Sequence, residues 1–129
     1  MELEARTYGD VLVVLSPTGR IDHESAAPFE TALMPFVEAC RDDAVKIVLD
    51  LSGIDYMSSV GLRVLMKAAK AARVQNGTIV VAALGSTLRE IFEISRFVHI
   101  FRTYETVRDA IGAVSQPSLD AYDACRSSG

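Results

Sequence analysis

The chain has 129 residues, the size of one ordinary domain, and half of it is apolar, enough for a full core without disulfide or metal staples. Its 13 basic and 17 acidic side chains leave a net charge of −4, which argues against a nucleic-acid binder and leaves a protein partner open. Two distant cysteines, Cys40 and Cys125, an acidic N-terminus and no apolar run near the roughly 18 residues of a membrane span point to a soluble, cytoplasmic protein.

In chain order, residues 3–7 read as the first strand of a hairpin, with a tight turn at Tyr8-Gly9-Asp10. The β-branched run 11–15 reads as a buried strand, and Gly19-Arg20-Ile21-Asp22 as an extended continuation. Ser25 is placed to cap a helix running to about Arg41, with a kink or break expected at Pro35. Residues 45–50 form a central strand, and residues 51–57 read as a loop. From Ser58 the period becomes helical, with Leu62, Leu65, Met66, Ala69 and Ala72 as the apolar face and Asn76-Gly77 as the stop. Residues 78–83 are another buried strand; Ser86 or Thr87 caps a short helix, Thr87 and Glu90 fitting a capping box. A last short strand is expected within 97–101, then a helix capped by Thr103 and ending near Val114. Alternation of this kind implies an α/β fold with mixed strand directions.

The chemistry concentrates in residues 50–63, where a buried strand ends, a loop follows, and Ser58 and Ser59 open a helix. The free N–H groups of a helix's first turn accept a serine oxygen as a cap. The same N–H groups and the helix dipole favour a phosphate. A phosphoserine here adds about 1.5 to 2 negative charges and alters what can dock above it without unfolding the helix. Either serine, Ser58 or Ser59, can act as no more than a cap when taken alone.

These residues carry a resemblance. The stretch resembles the signature of the STAS family, anti-sigma factor antagonists of the SpoIIAA/RsbV-like kind. In that family a strand ends in Asp-Leu-Ser, a loop leads to an aromatic or aliphatic pair, and Asp-Ser-Ser/Thr-Gly-Leu opens a helix. The matching residues are Asp50-Leu51-Ser52, Tyr56-Met57 and Ser58-Ser59-Val60-Gly61-Leu62. Ser58 stands where Asp is usual, and Val60 where Ser or Thr is common. Gly19-Arg20-Ile21-Asp22 is similar to the family's Gly-x-Leu-Asp turn, and residues 88–111 are similar to its last third.

The resemblance implies a four- to five-stranded mixed sheet flanked by about four helices over residues 1–115, before a polar, flexible tail at 116–129. It implies that the unphosphorylated protein binds an anti-sigma factor, a serine kinase of the histidine-kinase-like ATPase class. That kinase would modify Ser59, with Ser58 the alternative, and a serine phosphatase would reverse the modification. No cofactor, metal, nucleic acid or membrane is implied. The expected docking surface draws on Asp22, Asp55, Met57, Ser58, Val60 and Gly61. Asp22 contacts the partner or caps a turn, and Asp55 lies near the phosphosite or is a plain loop acid.

Other chemistries find little support. The histidines, His23 and His99, do not complete a Gly-x-Ser-x-Gly hydrolase element, and His99 is expected to pack beside Phe97 and Phe101. No phosphate-binding Gly-x-x-x-x-Gly-Lys loop occurs, and Asp10, Asp22, Asp50 and Asp55 lack the spacing of a cation loop. Arg63, Lys67 and Lys70 form a basic stripe, either a solvated face or a steering patch. Rival readings keep the fold and drop the switch: a scaffold subunit of a stress-signalling or transporter complex, or a small-molecule or lipid-binding module.

Overall fold

The apolar runs of the sequence become the inner strands of one sheet, covered on both faces. The computed structural model describes residues 2–9, 11–42 and 45–127. In order they form β1 (Leu3–Tyr8), β2 (Leu12–Pro17), β3 (Gly19–Ile21), α1 (Ala26–Ala39), β4 (Lys46–Asp50), β5 (Ile54–Met57), α2 (Ser59–Val74), β6 (Thr78–Ala82), α3 (Ser86–Ile94), a 3-10 turn (Phe97–His99), β7 (Thr103–Tyr104), α4 (Val107–Val114) and α5 (Gln116–Ser127). The main sheet has five strands in the order β1-β2-β4-β6-β7, and β3 and β5 form a separate pair. Only β1 and β2 run antiparallel; the other pairs are parallel.

Alternation along the strands divides the core in two. Val13, Leu15, Ile47, Leu49 and Val81 face one side, packed with Phe29, Leu33 and Val37 of α1, Val64, Leu65 and Ala68 of α2, and Leu88 and Phe92 of α3. Leu12, Val14, Val48, Val80 and Ala82 face the other, packed with Ala110 and Ile111 of α4 and Tyr122 of α5. Burial on both faces is why these strands read as continuous apolar runs.

Several local expectations give way. α1 runs unbroken through Pro35. Pro35 and Thr31 lie on the exposed side, where the carbonyl that Pro35 leaves unbonded meets solvent, while Phe29, Leu33 and Val37 anchor the opposite side. Ser25 begins α1 without capping it: its hydroxyl donates to the Arg20 carbonyl (2.7 Å) and accepts from the Asp22 N–H (3.0 Å). α3 starts after Gly85 with no side-chain cap, so the Thr87–Glu90 box does not form. Segment 97–101 holds a 3-10 turn, Phe97–His99, entered through left-handed Arg96 (φ 65°), because burying both Phe97 and Phe101 needs near-helical spacing. His99 is therefore exposed rather than packed beside them, and the strand moves to β7. Thr106, not Thr103, caps α4, its Oγ1 accepting the Asp109 N–H at 3.0 Å.

The largest departure is at the C-terminus, where the expected loose tail is a docked helix, α5. Ser118 is fully buried, and the Tyr122 ring meets Tyr8 edge-on at 5.1 Å. Gly9 (φ 68°) turns the first hairpin, and a Cβ there would come within 3.0 Å of the Ser118 hydroxyl. Ser118, Leu119 and Tyr122 recur at helical spacing, a short inward face with two apolar residues that the polar remainder of the segment hides. Asp10 and residues 128–129 lie outside the described residues.

Candidate functional site

The site is built where two parallel strands end side by side. β3 and β5 pair with Ile21 opposite Met57, so Asp22 and Ser58 leave the pair together. The Ser58 N–H donates to the Ile21 carbonyl at 2.8 Å and fixes the start of α2 against β3. Segment 54–57 is a strand and not the expected loop; its exposed Asp55 and Tyr56 lie between buried Ile54 and Met57, a pattern without strict alternation.

Ser58 is the cap of α2. Its backbone is extended (φ −81°, ψ 173°), and its hydroxyl accepts the Gly61 N–H at 3.4 Å, a long contact. Ser59 is the first helical residue and is exposed, and its hydroxyl has no partner among the described residues. The direction follows from the helix phase. Gly61, Val64, Leu65, Ala68 and Ala72 are the buried stripe, while Leu62, Met66 and Ala69 of the expected face are only half-buried. At about 100° per residue, Ser59 points about 200° away from Gly61, that is, outward.

Gly61 sets that phase. A Cβ at this position would meet Ile21 Cγ2 at 2.6 Å and Met57 Cγ at 2.7 Å, so only glycine lets the first turn of α2 lie on β3 and β5. Met57 is 2% exposed and belongs to the core. It supports the turn from beneath and presents nothing to a partner, which corrects its place on the expected docking surface. Gly61 is buried likewise, while Val60 is half-buried at the rim.

Asp22 caps the turn into α1. Its carboxylate accepts the N–H groups of Glu24 (3.0 Å) and Ser25 (3.2 Å). Those bonds, led by Glu24, hold it below the usual carboxylate range. The Arg20 guanidinium lies 3.9 Å from that carboxylate and 4.7 Å over the ring of Tyr56, which is 37% exposed. The Arg20–Tyr56 pair is not legible in the sequence as part of the site, because it exists only through the register of β3 against β5, and residues 51–57 read as a loop. Asp55 is exposed on β5.

Behind Ser59, the helices α1 and α2 leave a shallow groove of about 190 Å³ that reaches Val60 and Arg63. Lys67 bridges it to Glu30 at 3.3 Å. No group of three or more metal-binding side chains gathers among the described residues. None of their helices is long and apolar enough to cross a membrane.

Comparison with known proteins agrees with this geometry. The STAS domain family model matches residues 2–110. BtrV of Bordetella bronchiseptica, classed with the anti-sigma factor antagonists, is 42% identical over 110 residues, covering 85% of this chain and 91% of its own. The anti-sigma-F factor antagonist RsfB of Mycobacterium tuberculosis is 33% identical, covering 84% of this chain and 86% of its own. The crystal structure of an anti-sigma factor antagonist from Mycobacterium paratuberculosis superposes with a TM-score of 0.77 at 26% identity, over 88% of this chain and 92% of that one.

Proposed function

The chain belongs to the STAS domain family, and from that premise we propose that it is an anti-sigma factor antagonist whose docking is switched off by phosphorylation of Ser59. The unphosphorylated form binds an anti-sigma factor that is itself a serine kinase of the histidine-kinase-like ATPase class, and so releases the sigma factor. The kinase transfers phosphate to Ser59, and a serine phosphatase restores the binding form. The chain supplies the accepting hydroxyl and the docking surface, and no catalytic group of its own.

One observation carries this reading: of two adjacent serines, Ser58 turns its hydroxyl into the helix as a cap, and Ser59 presents an unengaged one outward. The docking surface is the rim around it, formed by Asp22, Asp55, Ser58 and Val60, with Gly61 and Met57 shaping it from below. A dianion in the middle of such a contact gives up its water on docking, a cost that a counter-ion on the same chain offsets only in part. Moving a complex from 99% bound to 99% free takes about 5.5 kcal/mol, within reach of one dianion stripped of its water.

The test is a binding titration with the purified kinase. Ser59→Ala binds as the unphosphorylated wild type does and takes up no phosphate. Ser59→Asp binds at least about tenfold more weakly, a loss of about 1.4 kcal/mol. Full phosphate uptake by Ser59→Ala, with loss of uptake in Ser58→Ala, transfers the modification to Ser58.

A further inference from the structure

Around Ser59 the cations differ in what they already hold. Arg20 is engaged by Asp22 and by the Tyr56 ring. Lys67 is engaged by Glu30 across the groove. Arg63 is exposed, lines the same groove, and has no acidic partner among the described residues. It stands four residues after Ser59, so the helix brings the two side chains to the same outward face, about 40° apart around the axis. The phase that turns Ser59 out of the core turns Arg63 out with it.

We propose that Arg63 is the built-in counter-ion of phosphorylated Ser59, a positioning residue that draws the phosphoryl group down along α2. This rests on the reading of Ser59 as the phosphosite and adds what becomes of the phosphate once it is there. A negative group one turn N-terminal to a cation is the favourable order on a helix, and a phosphate on Ser59 also meets the positive end of the α2 dipole. Guanidinium binds phosphate oxygens in a fork that ammonium does not reproduce. The phosphoryl group is then held over Val60 and the mouth of the groove between α1 and α2, on the rim that docks the partner. Arg63 thus fixes where the added charge sits, while Ser59 supplies the bond to it.

The inference is tested by phosphorus NMR titration of the full chain carrying phosphoserine at position 59, installed during synthesis so that no kinase is needed. A free phosphoserine loses its second proton near pH 6. Arg63 favours the dianion, so in the wild type this step falls at lower pH, and in Arg63→Ala it moves up by about 0.3 unit, the size expected of one such helical pair. Arg63→Lys restores part of the shift, and added salt shrinks the difference between wild type and Arg63→Ala. A merely structural role for Arg63 moves none of these. Identical titrations for wild type and Arg63→Ala, with both proteins folded, overturn the inference. Failure of a kinase to modify Ser59 would instead count against the proposed function, and it leaves this titration untouched.

Discussion

Two residues at the site do structural work that can be measured apart from any partner. Gly61 lies against Ile21 and Met57 with no room for a methyl group. Gly61→Ala therefore forces the first turn of α2 away from β3 and β5, and it is expected to cost about 1–3 kcal/mol in urea unfolding, as overpacking usually does. A cost near zero would mean the turn does not rest on those side chains. Asp22 makes its contribution through charge. Its carboxyl titrates below the usual range because backbone N–H groups of Glu24 and Ser25 favour the ionised form. The folded pKa thus lies below the unfolded one, so this stability is present above the unfolded value and is lost as pH falls through the folded one. Asp22→Asn keeps an oxygen acceptor without the charge. Its melting temperature should fall less steeply than that of the wild type as pH drops from about 5 to about 3, across the carboxylate range. Parallel curves would contradict this account of Asp22.

At the scale of elements, what was legible in the sequence was whatever a local period encodes. The inner strands and α2 announce themselves by β-branched runs and by helical spacing. The start of α2 and its left-handed stop at Asn76 (φ 58°) fall where cap and turn chemistry put them. Elements whose identity depends on a distant partner were misread. Segment 54–57 becomes a strand only because β3 lies beside it, and Phe97 and Phe101 choose a tight turn because both rings are needed in the core. The phase of α2 was read one residue off, because Gly61 has no apolar side chain to mark the face that it buries most tightly. The two serines were legible as a site, but not their division of labour. That depends on Ile21 accepting the Ser58 N–H, a contact between residues 37 positions apart in sequence.

For the whole molecule, the sheet separates Ser59, the proposed phosphosite, from the C-terminal helix. α2 and Ser59 lie on one face, and α4 and α5 lie on the other, beyond the residues matched by the family model in the case of α5. α5 is secured chiefly by packing. Tyr122→Ala removes a buried ring and its contact with Tyr8, and it is expected to cost about 3 kcal/mol. Asp123→Asn breaks the paired bonds to Arg108, at 3.0 Å each, but that pair is exposed, and it should cost less than about 1 kcal/mol. Thermal melts rank the two, and the reverse order would show that ionic contacts hold the helix. Both variants, where folded, should take up phosphate at the wild-type rate, since the change lies across the sheet from Ser59. The most direct test of the central claim is to incubate the wild-type chain with the anti-sigma kinase proposed as its partner and ATP, digest it, and locate the phosphate by mass spectrometry. The account predicts the phosphate on Ser59 and a modified protein that no longer stays with the kinase. Phosphate on another residue, or a Ser59-phosphorylated chain that remains bound, would contradict it.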